Sequence, residues 1–95
     1  MKRVPILYVR PECPWCREAM DFFSSHGVEV EVRDVERSYP HLRSMIEVSG
    51  QSNTPTFEWG DFVACDFSID ELLDELHERP DVQMRLGIAD NNPTG

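Results

Sequence analysis

The chain has 95 residues, with 9 Lys+Arg against 18 Asp+Glu, a formal net charge of -9 and 40% hydrophobic residues. A chain of this length forms one domain at most, and its acidic excess disfavours binding to nucleic-acid phosphates and to anionic membrane surfaces. No apolar run approaches the roughly 20 residues of a membrane span, so we expect a cytoplasmic protein with neither nucleic acid nor membrane as a partner.

Strands and helices are predicted to alternate along the first half of the chain. Residues 4–9 form a short apolar, β-branched run, which predicts a buried strand. Residues 14–26 have a helical period, and residues 28–33 alternate strictly between apolar and charged, as in a strand with one buried face. A second helix is predicted from Ser38 to Gly50. Its inward face is predicted to carry Leu42, Met45 and Ile46.

The second half of the chain predicts a hairpin and a third helix. Residues 56–59 and 62–65 are two short apolar segments joined by Gly60-Asp61, a favourable two-residue hairpin loop. Ser68 and Glu71 form a capping box at the start of the third helix. A β-α-β-α-β-β-α order predicts a mixed sheet with helices on both faces.

The periodic signal fades after Arg79-Pro80. We therefore place a domain boundary there, with a domain over residues 1–79 and a C-terminal tail over residues 80–95 that is at most partly ordered. The last residues are predicted to be a frayed end.

Cys13-Pro14-Trp15-Cys16 lies where the first strand meets the first helix. The first amides of a helix have no partner within the helix, and the helix dipole is positive there, so a sulfur at this place is stabilised as a thiolate. Cys16 shares the buried helical face, whereas Cys13 precedes the helix and can reach solvent. This difference predicts that Cys13 attacks a disulfide and that Cys16 resolves the product. A tetrahedral zinc site needs four ligands and no second pair is present, so we expect no metal.

The segment over residues 8–16 resembles the opening of a glutaredoxin, in which a strand ends in Tyr, a basic residue stands three before the first cysteine, and C-P-Y-C follows. The resemblance continues over residues 4–78. It implies a thioredoxin-like α/β/α sandwich in the α/β class, with a four-stranded mixed sheet of order 2-1-3-4.

The resemblance also implies a binding surface for glutathione or another thiol substrate. Arg10 stands where the family pairs a glutathione carboxylate, and Gln51 where a polar residue holds its glycyl end. Thr54 matches the residue whose backbone pairs with the substrate, and Pro55 matches the family's cis-proline, so we expect a cis bond between them. Trp15 is a large aromatic beside the site.

Three features depart from the family pattern. The family's T-V-P is here Asn53-Thr54-Pro55, and Trp15 stands in place of Tyr. The Gly-Gly-x-Asp that holds the γ-glutamyl end of glutathione is replaced by Val63-Ala64-Cys65-Asp66-Phe67, where Asp66 can stand in for the aspartate. The third cysteine, Cys65, is interpreted as a small apolar core residue.

The implied activity is reduction of disulfides, or of glutathione mixed disulfides, through Cys13 and Cys16. Glutathione is the expected co-substrate, without a bound organic cofactor, and the expected partners are disulfide-containing or glutathionylated proteins. One alternative is a thioredoxin-type donor that is reduced by a flavoenzyme reductase. Another is a non-enzymatic redox-sensing or adaptor module. We expect the protein to be a monomer.

Overall fold

The elements follow one another in the order β-α-β-α-β-β-α-α in a computed structural model that describes residues 4–88. The strands are β1 (Ile6–Val9), β2 (Glu31–Asp34), β3 (Thr56–Trp59) and β4 (Phe62–Cys65). The helices are α1 (Pro14–Ser25), α2 (Tyr39–Ser49), α3 (Ile69–His77) and α4 (Pro80–Leu86). Within this range the structure contains no helix that is both long and apolar enough to cross a bilayer.

The four strands form one mixed sheet in the order β2-β1-β3-β4. β1 and β2 run parallel, which a helical crossover through α1 requires, while β3 is antiparallel to both β1 and β4. In the centre of the sheet Phe57 pairs with Leu7 on one side and with Ala64 on the other. The predicted strand order and mixed sheet are confirmed.

The core lies on both faces of this sheet, because successive strand residues point in opposite directions. On one face Leu7 and Phe57 pack with Phe23 of α1, and the rings of Phe23 and Phe57 stack with their centroids 5.0 Å apart. On the other face Tyr8 packs with Met45 of α2. The cysteine-bearing helix is thereby fixed against the centre of the sheet.

Helix ends follow the predicted capping signals. The Ser68 hydroxyl accepts a hydrogen bond from the Glu71 amide, and the Glu71 carboxylate accepts one from the Ser68 amide. Both hydrogen bonds of the capping box are therefore present. Ser38 caps α2, and Gly50 ends α2 in the left-handed conformation with φ 73°. Gly60 supplies another positive φ, of 62°, in the loop between β3 and β4.

Two predictions in the middle of the chain differ from the structure. The strand expected from residue 28 begins only at Glu31, where pairing with β1 begins, and Val32 within it is 48% exposed. The earlier valines Val28 and Val30 pack against the core from the preceding loop. Ile46, expected to face inward, is 42% exposed, because α2 covers only the smaller of the two apolar clusters.

A fourth helix occupies the first part of the C-terminal tail, which the sequence predicts to be at most partly ordered. Pro80 lies in the first turn of α4 and Gly87 ends it with φ 78°. Val82, Leu86 and Ile88 are buried in the larger apolar cluster. The sequence signal is weak because a helix of seven residues holds barely two turns of apolar periodicity. The predicted frayed end lies outside the described residues from position 89 onward.

The burial of α4 gives a prediction for stability. Leu86→Ala is expected to lower the free energy of unfolding by about 2 kcal/mol or more, since Leu86 is 8% exposed and truncation leaves a cavity. Met84→Ala on the same helix is the control, because Met84 is 79% exposed. Urea unfolding of both variants measures the difference. Equal midpoints for Leu86→Ala and the parent would show that α4 is not part of the cooperative core.

Candidate active site

Cys13 and Cys16 form a disulfide at the junction of β1 and α1, with their Cα atoms 5.1 Å apart. Cys13 is the N-cap of α1, and its sulfur accepts a hydrogen bond from the Cys16 amide at 3.1 Å. Pro14 lies in the first turn, where its missing amide hydrogen costs nothing. The predicted placement of the pair at a helix N-terminus is confirmed.

The two sulfur-bearing residues differ in exposure in the predicted sense. Cys16 is 1% exposed and lies within the larger apolar cluster, whereas Cys13 is half-buried at its border. A substrate can therefore reach the Cys13 side of the pair, while Cys16 is shielded beneath it. This asymmetry fits an entry thiol with a second thiol behind it.

The segment before β3 lies close to Cys13. It consists of residues 51–55 and is called the cis-proline segment below. The Cys13 sulfur lies 3.8 Å from the carbonyl oxygen of Thr54, although the two residues are distant in sequence. The Thr54–Pro55 peptide bond is cis, as expected from the resemblance, and Pro55 is buried. The structure thus brings together three of the residues that the sequence predicts for the site.

Arg10 bonds the same segment. Its Nη1 donates a hydrogen bond of 2.9 Å to the carbonyl oxygen of Ser52. The guanidinium therefore bonds the backbone two residues before Thr54, and the glutathione contact that the resemblance implies for Arg10 stays a prediction.

Gln51 is turned into the protein rather than toward a ligand. Its Nε2 donates to the hydroxyls of Ser49 at 2.8 Å and Thr56 at 3.0 Å, and its Oε1 accepts the Asn53 amide at 2.8 Å. The resemblance implied a contact with glutathione for this residue. In the structure its amide group bonds the loop instead.

Asp66 follows β4 and lies beside the cis-proline segment. Its amide donates to the carbonyl oxygen of Pro55 at 2.7 Å, and its φ is 55°. This left-handed conformation favours glycine, although aspartate tolerates it better than most residues. Asp66 thus has the backbone shape of a glycine position and carries a charge there.

A groove of about 380 Å³ opens beside Asp66, and its lining is acidic. It is lined by Cys65, Asp66, Phe67, Glu71, Asp74 and Glu75. Burial raises the pKa of Glu75, and the neighbouring Glu71 raises it further, as expected where like charges crowd together. This part of the surface disfavours anions.

A second groove, of about 460 Å³, adjoins Cys13 on its helix side. Pro11 and Pro14 contribute its apolar surface, and Arg17 with three acidic residues contributes charge. Trp15, between the two cysteines in sequence, is 48% exposed, but it does not line this groove.

Cys65 is only partly buried, at the end of β4 opposite Thr56. Burial raises the pKa of its thiol, and Glu75 and Asp66 raise it further, so Cys65 is held as a thiol. A thiol held protonated is a poor nucleophile. The interpretation of Cys65 as a core residue is wrong, because it lies outside both apolar clusters and lines the acidic groove. Across residues 4–88 no cluster of three or more His, Cys, Asp or Glu side chains could hold a metal ion.

Sequence reasoning missed the residues that fix the cis-proline segment. Ser49, Ser52, Asn53 and Thr56 all bond within it or to it. The available signal was the run of polar residues Gln51-Ser52-Asn53-Thr54 between Gly50 and Pro55, since Ser, Asn and Thr side chains often bond nearby backbone.

Comparison with solved structures shows the same fold in several redox proteins. The thioredoxin-like protein BC3987 matches with a TM-score of 0.68 and 25% identity, over 76% of this chain and 99% of that protein. A glutaredoxin from Brucella melitensis matches with a TM-score of 0.63 and 24% identity, over 94% of both chains. The NrdH-redoxin of Escherichia coli matches with a TM-score of 0.62 and 23% identity, over 92% of this chain and 99% of that one.

Sequence comparison defines the family. A search of curated protein sequences found no match. The family model described as glutaredoxin matches residues 6–63, which include the cysteine pair, the cis-proline segment and the first three strands. Because this match spans more than half of the sequence, and the fold agrees with it, the chain belongs to the glutaredoxin family.

Proposed function

We propose that the chain is a thiol–disulfide oxidoreductase that reduces protein disulfides through Cys13 and Cys16. The observation that carries this proposal is the half-buried Cys13 sulfur at the N-terminus of α1, facing the Thr54 carbonyl, with the buried Cys16 behind it. The glutaredoxin family generally acts by thiol–disulfide exchange, which fits this arrangement.

The exchange proceeds in two steps from the reduced pair. The Cys13 thiolate attacks one sulfur of the substrate disulfide, whose S–S bond breaks, and the leaving thiolate takes a proton. Cys16 then loses its proton and attacks the Cys13 sulfur, which releases the second substrate thiol and forms the Cys13–Cys16 disulfide. Two electrons pass to the substrate. The Cys16 amide, which donates to the Cys13 sulfur, favours the attacking thiolate.

Glutathione is our first candidate for the electron donor. One glutathione thiolate attacks the oxidised pair and a second resolves the mixed disulfide, which restores both thiols. Arg10 is suited to a glutathione carboxylate, since it lies beside the Thr54 segment, and Thr54 can offer its backbone to an extended peptide. Pro55 and Asp66 adjoin Thr54, since the Asp66 amide donates to the Pro55 carbonyl, and Trp15 is exposed in the first turn of α1.

A flavoenzyme reductase is the second candidate, and the acidic groove beside Asp66 favours it. Glutathione carries a net negative charge at neutral pH, and it would have to bind near Asp66, Glu71 and Glu75. The NrdH-redoxin of Escherichia coli is described as a glutaredoxin-like protein with a thioredoxin-like activity profile. A similar profile for this chain would fit its acidic surface.

Two coupled assays distinguish these donors. Reduction of 2-hydroxyethyl disulfide is followed with glutathione and glutathione reductase, and reduction of insulin is followed with thioredoxin reductase. Turnover in either assay supports the oxidoreductase and identifies its donor. Failure in both, together with failure to reduce insulin when dithiothreitol is the donor, would overturn the proposal in favour of an adaptor or sensor.

The charge of Asp66 gives a prediction that separates the donors further. The resemblance implied that Asp66 holds the γ-glutamyl end of glutathione, but in the acidic groove its charge adds to those of Glu71 and Glu75, which repel an anion. Asp66→Asn is therefore expected to lower the KM for glutathione about threefold to fivefold, because a unit charge a few ångströms away is worth about 1 kcal/mol in water. Asparagine keeps the left-handed backbone, so the change is one of charge. Glu29→Gln makes the same charge change in an exposed residue of the loop before β2. Equal KM values for both variants would show that glutathione does not bind beside Asp66.

A further inference from the structure

The cis-proline segment is tied together by a network that centres on one side chain. Gln51 contacts Ser49 at the end of α2, Asn53 within the loop, and Thr56 at the start of β3. Thr56 in turn donates its hydroxyl to the Asn53 carbonyl at 2.8 Å. We call Gln51, Ser49, Asn53 and Thr56 the Gln51 network.

The hydrogen-bond directions in this network are mutually consistent. The Thr56 hydroxyl has one hydrogen, which it gives to Asn53, so it meets Gln51 as an acceptor. The Ser49 hydroxyl likewise donates to the Met45 carbonyl at 2.6 Å and accepts from Gln51. The Gln51 oxygen then faces the Asn53 amide, which defines the orientation of its carboxamide.

The network is under strong constraint because one of its members is fully buried. Thr56 is 0% exposed, and a buried hydroxyl without a partner costs free energy. A carboxamide of this length supplies two donors and an acceptor at once. Methionine has a similar shape without them. A carboxylate lacks the donors, so Ser49 and Thr56 would have to redirect their hydroxyl hydrogens.

The network adjoins the residue that faces the redox pair. Thr54, whose carbonyl is 3.8 Å from the Cys13 sulfur, stands between Asn53 and the cis-proline. Arg10 donates to the Ser52 carbonyl, two residues before Thr54. The Thr54 backbone is thereby held in place before any substrate arrives, which reduces the ordering cost of binding.

We propose that Gln51 is a positioning residue that fixes the Thr54 backbone for pairing with an extended protein substrate. The inference rests on the proposed function and deepens it. It replaces the glutathione contact that the resemblance implied for Gln51 with a role exerted through Asn53 and Thr56. Gln51 itself does not touch the reacting sulfurs.

The test compares Gln51→Met with the parent and with a matched control. Gln83→Met removes another glutamine that bonds a backbone carbonyl, that of Ile88, beyond α4. With insulin as substrate and dithiothreitol as donor, Gln51→Met is expected to raise KM about tenfold with little change in kcat. Alkylation of reduced Cys13 by iodoacetamide is expected to stay within twofold of the parent rate. Gln83→Met is expected to change neither.

A second pair of variants tests the route through the network. Thr56→Val removes the hydroxyl at constant shape and is expected to raise KM as Gln51→Met does. Thr56→Ser keeps the hydroxyl and is expected to retain the parent KM. Hydrogen exchange at the Asn53 amide is expected to accelerate in Gln51→Met and not in Gln83→Met, and this readout does not depend on turnover.

The outcomes separate the inference from the proposed function. An active parent with the same KM for insulin in Gln51→Met would overturn the positioning role and leave the oxidoreductase standing. A fall in thermal stability with KM unchanged well below the melting temperature would reduce Gln51 to a structural residue. A parent that does not reduce insulin at all would overturn the proposed function, and the role of Gln51 in substrate binding with it.

Discussion

Cys13→Ser is expected to abolish disulfide reduction with every donor and substrate. The hydroxyl that replaces the sulfur has no adjacent base and is a poor nucleophile, so the rate should fall by on the order of 10³-fold or more. This fall in rate is measured by insulin reduction with dithiothreitol and by mixed-disulfide reduction with glutathione. Cys65→Ser is the control, because the raised pKa of Cys65 makes it a poor nucleophile, and it should keep the parent rates.

Residual activity in Cys13→Ser would contradict the assignment of the entry thiol. Iodoacetamide labelling of the reduced parent at neutral pH, mapped by mass spectrometry, gives an independent check. The label should reach Cys13 first, because Cys16 is 1% exposed.

Cys16→Ser is expected to separate two activities. Cys13 alone can accept glutathione from a mixed disulfide and return it to a second glutathione, so that reaction should survive. Insulin reduction should fall by at least about 10²-fold, because an intramolecular thiol has a far higher effective concentration than an external one. The two assays are run on the same preparation. Equal loss of both activities would show that Cys16 does more than resolve the mixed disulfide.

Much of the fold could be predicted from local signals. The cysteine-bearing helix, the Gly60-Asp61 hairpin and the capping box at Ser68 each depend on residues close in sequence, and the structure confirms them. The predicted start of β2 was wrong. The strict alternation of apolar and charged residues includes Val28 and Val30, but these two residues have no pairing partner in β1. Register with β1 is a long-range property that alternation alone does not reveal.

In the candidate site, too, some features could be predicted from local signals and others could not. The placement of Cys13 and Cys16 follows from one short motif at a helix start, and the cis bond before Pro55 was implied by the resemblance. The orientation of Gln51 could not be predicted, because the same side chain could reach a ligand or fold back onto its own loop. The choice depends on hydroxyls at Ser49 and Thr56, which only the folded chain brings together.

Strand β2 is an edge strand of the sheet, and its side chains affect whether copies of this chain can associate. An unpaired strand edge is a template for strand addition from another molecule, and charged side chains are one means of blocking it. Glu31 and Arg33 stand on either side of Val32 and form an ion pair of 2.7 Å, while Asp34 ends the strand. A second chain that docked there would have to desolvate these charges. The edge of the sheet farthest from β4 is therefore protected against strand addition from a second copy of the chain.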